Sequence, residues 1–350
     1  MYLRNIFVFF ICGAVWPFTA AAQTEKQLVP GDKTTVIFYL ENDLFGGTDR
    51  HYTNAVKFSW LSRDLKKFSD DHQLPGLARW IVDKTAAVDQ EDFLHNIAFS
   101  MGQNIYTPQD IDESALISDD RPYAGWTYFS AALHSRNTSL LNTFEISLGM
   151  VGPASLAEDS QKFFHENLGL SEDPQGWDNQ LADELGLMLT WQRFWRVIRE
   201  SSDSGFAYDI IPHAGLTAGN VFTYANLGGE LRFGYNLPMD FGTSLIRPGG
   251  GTSAPVSMGD PRLGSGGNIG LTFFVGADGR AIARNIFLDG NTWQDSHSVD
   301  KNYLVADISS GVSLAYKKMK LTYTHVYRSE EFDGQDGGHL FGSLTLSYTF

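Results

Sequence analysis

Cysteine and long apolar runs are nearly absent from this chain, and each shortage excludes a class of protein. The one cysteine, Cys12, lies in the apolar N-terminal stretch, which excludes disulfides and thiol catalysis in the mature protein. After that stretch no run of 18 or more apolar residues occurs, so we expect no helical membrane span. Gly-x-Ser-x-Gly, Cys-x-x-Cys and His-Glu-x-x-His motifs are also missing, and a serine triad has little support.

Basic residues are scarce as well. The chain has 26 Lys and Arg against 41 Asp and Glu, which gives a formal net charge of −15. Because nucleic-acid backbones are bound by basic patches, this balance excludes nucleic acid as a partner. Glycine (35 residues) and aromatic residues (13%) are plentiful, a composition that fits a soluble β-protein or an outer-membrane barrel.

The N-terminal segment has the order of a secretion signal. Residues 1–5 carry one positive charge, residues 6–18 are predominantly apolar, and residues 20–22 are three alanines. A charged region, an apolar region and small residues before the cleavage point define a signal peptide. We therefore expect residues 1–22 to be removed near Ala22, leaving residues 23–350 as a single domain.

Alternation of apolar and polar residues separates a soluble β-protein from a barrel. In the last segment, SLTLSYTF (343–350), every second residue is apolar and the residues between are Ser or Thr. The same period recurs over 53–60, 227–236 and 304–316. Apolar side chains outward and polar ones inward are typical of transmembrane barrels, and aromatic residues at strand ends fit the girdles at membrane interfaces.

Twelve segments of this kind can be counted, and an even number closes an antiparallel barrel with both chain ends periplasmic. We therefore predict an all-β fold, a twelve-stranded antiparallel transmembrane β-barrel in the bacterial outer membrane. Between the strands, residues 74–84 form an amphipathic pattern expected on the inner leaflet, and residues 237–267, rich in Gly, Pro and Ser, predict a flexible loop. The predicted strands span 34–42, 51–62, 92–105, 123–136, 140–152, 184–199, 205–217, 222–236, 268–284, 303–316, 318–330 and 339–350.

Polar residues concentrate in two outward loops. Asn42 and Asp43 end the first strand, and Thr53 lies across the same hairpin at a lumen-facing position. Either these residues form a plain turn, since Asn, Asp and Gly are turn formers, or they form a metal site at the strand rim. In loop 153–183 we predict an extracellular helix over the barrel mouth, on which Gln161 and His165 share one face because they are four residues apart.

Five segments are informative together: FYLENDLFGGTDRHYTN (38–54), GQNIYTPQDI (102–111), DDRPYAGW (119–126), VGPASLAEDSQKFFH (151–165) and PQGWDNQL (174–181). They resemble the outer-membrane lipid A 3′-O-deacylase family, and the similarity runs from about residue 34 to Phe350. The resemblance implies a twelve-stranded barrel with its active site between the wall and an extracellular helix. It also implies calcium-dependent hydrolysis of the 3′-linked acyl chain of lipid A.

The resemblance assigns site residues one by one. A lysine of the family's second outward loop has no counterpart, since residues 111–113 read Ile-Asp-Glu, and Arg121 at the end of that loop is the nearest substitute for an oxyanion or phosphate contact. The family's other motif residues fall on Asn42, Asp43, Thr53, Gln161, His165 and Glu172.

The implied chemistry is ester hydrolysis by an activated water. His165 would take the proton from the water, with Gln161 beside it. Asp43 and Glu172, completed by neutral oxygens of Asn42 or Thr53, would hold Ca²⁺, which polarises the carbonyl. Calcium would also let this acidic chain approach the phosphates of its partner, lipid A or lipopolysaccharide of the outer leaflet.

Two other classes share parts of this pattern. A passive porin or structural barrel has the same strands but no use for Asp43, Gln161 and His165 on one side. A phospholipase-type outer-membrane esterase shares calcium and the barrel, yet uses a wall-mounted Ser-His-Asn set that the sequence does not contain. We expect an integral membrane enzyme that acts as a monomer.

Overall fold

The computed structural model covers most of the chain between residue 31 and the C-terminus. The predicted signal peptide (1–22) and the amphipathic segment (74–84) lie outside the described residues. None of the described helices has the length and hydrophobicity of a transmembrane helix. The structure describes residues 31–43, 51–68, 92–168, 174–243, 245–250, 254–256, 259–263 and 269–350, with the backbone alone for 51–53 and 165–168.

The strands of this structure belong to one antiparallel sheet. They are β1 (Thr35–Asn42), β2 (His51–Leu61), β3 (Leu94–Thr107), β4 (Ala124–Arg136), β5 (Leu140–Val151), β6 (Glu184–Trp195), β7 (Ile198–Ser201), β8 (Phe206–Gly219), β9 (Phe222–Tyr235), β10 (Ile269–Asn285), β11 (Leu304–Tyr316), β12 (Met319–Arg328) and β13 (His339–Thr349).

The sheet closes on itself. β1 pairs with β13, and β6 pairs with β8. The short β7 pairs with the same strand, β8, as β6 does. It therefore continues the place of β6 in the barrel and does not add a thirteenth strand to the circumference. The predicted twelve-stranded antiparallel barrel is confirmed, with the sixth predicted strand (184–199) interrupted after Trp195.

An apolar band covers the outer face of the barrel. One row of it crosses five neighbouring strands in register, and its members are between 43% and 63% exposed. A continuous apolar surface of this kind suits the hydrocarbon core of a membrane rather than water. The alternation in the sequence therefore predicted the membrane-facing side correctly. The row consists of Phe38, Phe58, Met101, Phe129 and Leu148.

The lumen is polar and crossed by ion pairs. Asp307 on β11 is 1% exposed and accepts hydrogen bonds from Arg280 at 2.6 Å, Arg328 at 2.9 Å and Arg247 at 2.7 Å. A buried carboxylate is stable only when it is paired in this way. The three guanidiniums tie β10, β12 and the loop after β9 to β11.

That loop after β9 folds back into the lumen, and we call its described residues, within 237–263, the plug. Phe241 and Val256 pack with inward-facing apolar residues of β5, β6 and β8. Asp240 is fully buried and accepts a hydrogen bond from Lys320 at 2.7 Å. For the described residues of this segment the prediction of a flexible loop is wrong, because buried apolar and charged side chains fix their packing whatever the content of Gly and Pro.

Candidate active site

A helix, α1 (Ala157–Leu168), lies in the extracellular loop after β5. Glu158 and Asp159 occupy its first turn, where carboxylates favour the positive end of the helix dipole. Lys162 reaches back to Glu158 at 2.7 Å, a pairing across one turn that supports an exposed helix. The predicted helix in this loop is thus confirmed over its described residues.

The start of α1 packs on the outer face of the wall. Gly125 on β4 shares that face with Phe129, and a Cβ at Gly125 would overlap the Cβ of Ala157. The carbonyl of Ser155, just before the helix, accepts hydrogen bonds from Gln103 Nε2 at 2.8 Å and Thr127 Oγ1 at 2.6 Å. The structure refines the predicted position over the barrel mouth, because α1 starts beside the mouth on the membrane-facing wall.

Gln161, one turn further along α1, is held in one orientation. Its side chain is buried, 1% exposed, and its Oε1 accepts a hydrogen bond from Trp177 Nε1 at 2.9 Å. An indole N–H can only donate, so the amide oxygen must face Trp177. The amide nitrogen Nε2 is also buried and has no hydrogen-bond partner in the described part of the chain.

Trp177 is itself fixed by packing. Its ring lies 5.0 Å from that of Tyr123, centroid to centroid, and both belong to an apolar cluster with Ile105 and Ala157. The Tyr123 hydroxyl donates to the carbonyl of Ile111 at 3.1 Å. Two extracellular loops therefore hold the indole that orients Gln161.

A row of outward-facing positions leads from α1 to the end of β1, and its last two members, on β2 and β1, are polar. Gly125 is in register with Ile105, Ile105 with Asn54, and Asn54 with Asn42. By alternation these positions share the outer face with the apolar row four residues nearer the periplasm. Asn54 is 6% exposed, and its Oδ1 is buried without a hydrogen-bond partner among the described residues.

The structure brings several predicted site residues to this region. Asn42 is the last member of this row, and Asp43 follows it with 1% of its surface exposed. The backbone of Thr53 lies next to Asn54, where the pairing of β2 with β3 shifts register, and such irregularities often re-aim a side chain near a functional site. His165 lies one turn after Gln161 on α1. The side chains of Thr53 and His165, and all of Glu172, lie outside the description.

Arg121 is not brought to this site. It is buried, its Nη2 donates to Glu331 Oε2 at 3.0 Å, and its guanidinium lies over the rings of Tyr106 and Phe332. Tyr106 faces the lumen, so the barrel wall separates Arg121 from Gln161. Burial opposes ionisation of Glu331, but Arg121 and Arg328 together lower the pKa of that carboxyl to about 2. This arrangement ties two extracellular loops together and turns the Arg121 guanidinium away from a substrate outside the wall.

Some residues of the site were missed in the sequence. Gln103 and Thr127 occupy outward positions of strands whose other outward residues, such as Met101 and Phe129, are apolar. A polar residue at a membrane-facing position is the signal that could have identified them. Trp177 has no role in the sequence argument, whereas the structure makes it the partner of Gln161.

Comparison with known proteins identifies one matching family model and several similar solved structures. The chain matches the family model of the outer membrane protein LpxR over residues 6–350. The solved structure of LpxR from Salmonella typhimurium has a TM-score of 0.70 at 15% identity, covering 90% of this chain and 100% of that one. The β domain of the Bordetella autotransporter Brka has a TM-score of 0.45 at 9% identity, covering 92% and 99%. No curated protein sequence matches the chain.

Proposed function

Since the chain belongs to the LpxR family of outer-membrane proteins, we propose that it is a lipid A 3′-O-deacylase, which uses calcium to hydrolyse 3′-linked acyl esters in the outer leaflet. One observation carries this proposal. Gln161 is buried against the membrane-facing side of the wall, with an oriented amide that has an N–H₂ group to donate. An acylated lipid in the leaflet reaches this position laterally, whereas a solute in the lumen does not.

The proposed roles follow from the chemistry of ester hydrolysis. His165 takes a proton from the attacking water, and such general bases typically contribute about 10²–10⁴-fold to the rate. Gln161 donates from Nε2 to the ester oxygen on which negative charge develops. A donor that is oriented before the reaction stabilises this charge better than one that must first reorient. Arg121 has no part in this scheme because it lies on the lumen side.

The described residues fit a calcium ion by donor type. Asp43 offers a carboxylate and Asn42 an amide, and the buried Oδ1 of Asn54 lacks a partner in the described part of the chain. No group of three or more His, Cys, Asp or Glu within the described residues is arranged to hold a metal. Calcium also accepts neutral oxygens as ligands. We propose that Glu172 and Thr53 complete the set. Bound calcium would polarise the ester carbonyl.

A phospholipase-type esterase with a wall-mounted serine is the weaker alternative. A serine–histidine pair does occur, because His95 Nδ1 and Ser135 Oγ lie 2.9 Å apart. However, His95 is 0% exposed and the ring of Phe68 covers it at 4.6 Å between centroids. The pair also lies at the periplasmic ends of β3 and β4, away from the outer leaflet, so it does not support hydrolysis of a lipid there.

The plug argues against a passive porin, and conductance tests this point. Plug and wall meet inside the lumen, where Arg247 pairs with Asp307. We therefore expect the purified protein to insert into planar lipid bilayers without a steady ion current, while a water-filled porin measured in the same bilayers conducts. A stepwise ohmic current at each insertion would favour the interpretation of the protein as a passive porin.

Replacing Trp177 with phenylalanine tests the orientation of Gln161. Trp177→Phe keeps an aromatic ring against Tyr123 but removes the indole donor, so the amide of Gln161 is free to turn. We expect kcat for fatty-acid release to fall about tenfold, the order of one lost hydrogen bond. Gln161→Ala should cost at least as much, and the double variant should cost no more than Gln161→Ala alone. Wild-type rates for Trp177→Phe would show that the indole contact does not matter for the reaction.

Mass spectrometry of lipid A tests the function in cells. We expect lipid A from bacteria expressing this protein to lose the mass of its 3′-linked acyl chain or chains, while cells carrying an empty vector keep it. The position of the loss matters, because removal of a 2-linked or phospholipid chain would assign a different ester to the same site.

A further inference from the structure

Glu41 is a buried carboxylate on the lumen side of β1, directly before Asn42 and Asp43. It is 1% exposed, and its Oε1 accepts a hydrogen bond from the backbone N–H of Ile246 at 2.7 Å, across 205 residues of sequence. Ile246 belongs to the plug. Because Asn42 points to the opposite face of the strand, one peptide unit separates this contact inside the barrel from the candidate site outside it.

The neighbours of Glu41 leave room for the plug. The residues in register with it are Ala55 on β2 and Ser343 on β13. These are small side chains, so a backbone amide can approach the carboxylate closely.

The plug residue that donates this bond is itself anchored elsewhere. Arg247, the next residue, pairs with Asp307 at 2.7 Å and with Asp278 at 3.4 Å, which belong to β11 and β10. Ile246 also packs in an apolar cluster that contains Tyr39 and Ala55. The contact with Glu41 therefore connects the end of β1 to a part of the barrel held by buried ion pairs.

We propose that the plug positions the catalytic rim, with Glu41 and Ile246 as positioning residues that hold the end of β1 and thereby the placement of Asn42 and Asp43. This inference rests on the proposed function. The plug, which begins at the periplasmic end of β9, then influences the extracellular site from the lumen side of the barrel wall. Small displacements of reacting groups can cost about 100-fold in rate, so loosening this contact should lower kcat while KM, set by contacts with the rest of the lipid, stays within about twofold.

A spin label reports on the position of β1 without reference to activity. Residues 23–350 contain no cysteine, so Leu40→Cys gives a single labelling site on the outer face, two residues before Asn42. In this background we expect Glu41→Ala to increase the mobility of a nitroxide label. Glu41→Gln, which keeps an acceptor oxygen for the Ile246 amide, should keep the wild-type spectrum.

The plug side of the contact provides the matched pair. Ile246→Pro removes the N–H donor, whereas Ile246→Ala shortens the side chain and keeps the donor. We expect Ile246→Pro to reproduce the label mobility of Glu41→Ala and to lower kcat about 10- to 100-fold, with Ile246→Ala close to wild type. Only variants that migrate faster on gels before boiling than after, as closed barrels do, enter the comparison.

The outcomes separate this inference from the proposed function. An active wild type with unchanged label spectra and kcat in folded Glu41→Ala and Ile246→Pro would overturn the positioning role. Increased label mobility in Glu41→Ala and Ile246→Pro would still show that the Glu41–Ile246 contact holds the end of β1. If the wild type then leaves lipid A intact, the proposed function is overturned. The positioning role is supported if Glu41→Ala and Ile246→Pro increase label mobility and lower kcat, while Glu41→Gln and Ile246→Ala keep both at wild-type values.

Discussion

Replacing His165 with alanine is expected to lower ester hydrolysis by about 10²–10⁴-fold, the usual effect of losing a general base. His165 is one turn after Gln161 on the helix that packs against the outer wall. Other histidines have different partners: His134 Nδ1 lies 2.8 Å from Thr143 Oγ1 within the barrel wall, and His213 Nε2 lies 2.8 Å from Asp278 Oδ2 in the lumen. The rate of fatty-acid release from purified lipid A measures the effect.

His51→Ala is the matched control for this prediction, because His51 lies close to the same rim in sequence. We expect it to retain nearly wild-type turnover, with both variants showing the heat-dependent gel mobility of a folded barrel. Full activity of His165→Ala together with loss in His51→Ala would move the base from the helix to the first hairpin.

The pH profile gives a second test of the same base. Activity should fall toward acid pH, because a protonated imidazole cannot accept the proton of the attacking water. The Arg121–Glu331 pair does not cause such a fall. The folded pKa of Glu331 is depressed to about 2 from an ordinary 4.5, so its contribution to stability is complete above about 4.5 and is lost only as pH falls toward 2.

Asp43→Asn is expected to raise the calcium concentration for half-maximal activity at least about tenfold, or to abolish activity, because the affinity of such sites depends on ligand charge. The substitution preserves size and one oxygen, so the barrel should still fold. Terbium luminescence offers a direct reading of cation binding, independent of turnover. Asp112 is an exposed acid in another extracellular loop. Asp112→Asn should therefore change neither the calcium concentration for half-maximal activity nor the terbium luminescence. Undiminished wild-type activity in excess chelator would contradict the calcium proposal.

The barrel could be predicted closely because a strand between lipid and a polar lumen must alternate along its whole length. The predicted strand 140–152 differs from Leu140–Val151 by one residue. The plug could not be predicted in the same way. Its Gly and Pro indicate turns, but the residues that fix it, such as Asp240 and Phe241, depend on partners far away in sequence.

The candidate site was predictable in its parts and less so in its geometry. The spacing of Gln161 on a helix follows from local sequence, and the family resemblance placed it beside the first hairpin. Which side of the wall Arg121 would take does not follow from local sequence, because that depends on Glu331, 210 residues later. The outward position of Asn54 could be predicted from alternation. That its Oδ1 has no partner among the described residues could be seen only in the packed structure.

Incubation of the purified, folded protein with lipid A in detergent micelles, with calcium or with excess chelator, tests the central claim most directly. The account predicts that, in the calcium sample alone, mass spectrometry shows lipid A without its 3′-linked acyl chain and one free fatty acid released for each ester cleaved. Lipid A that stays intact with calcium, or that loses an acyl chain equally in chelator, would contradict it.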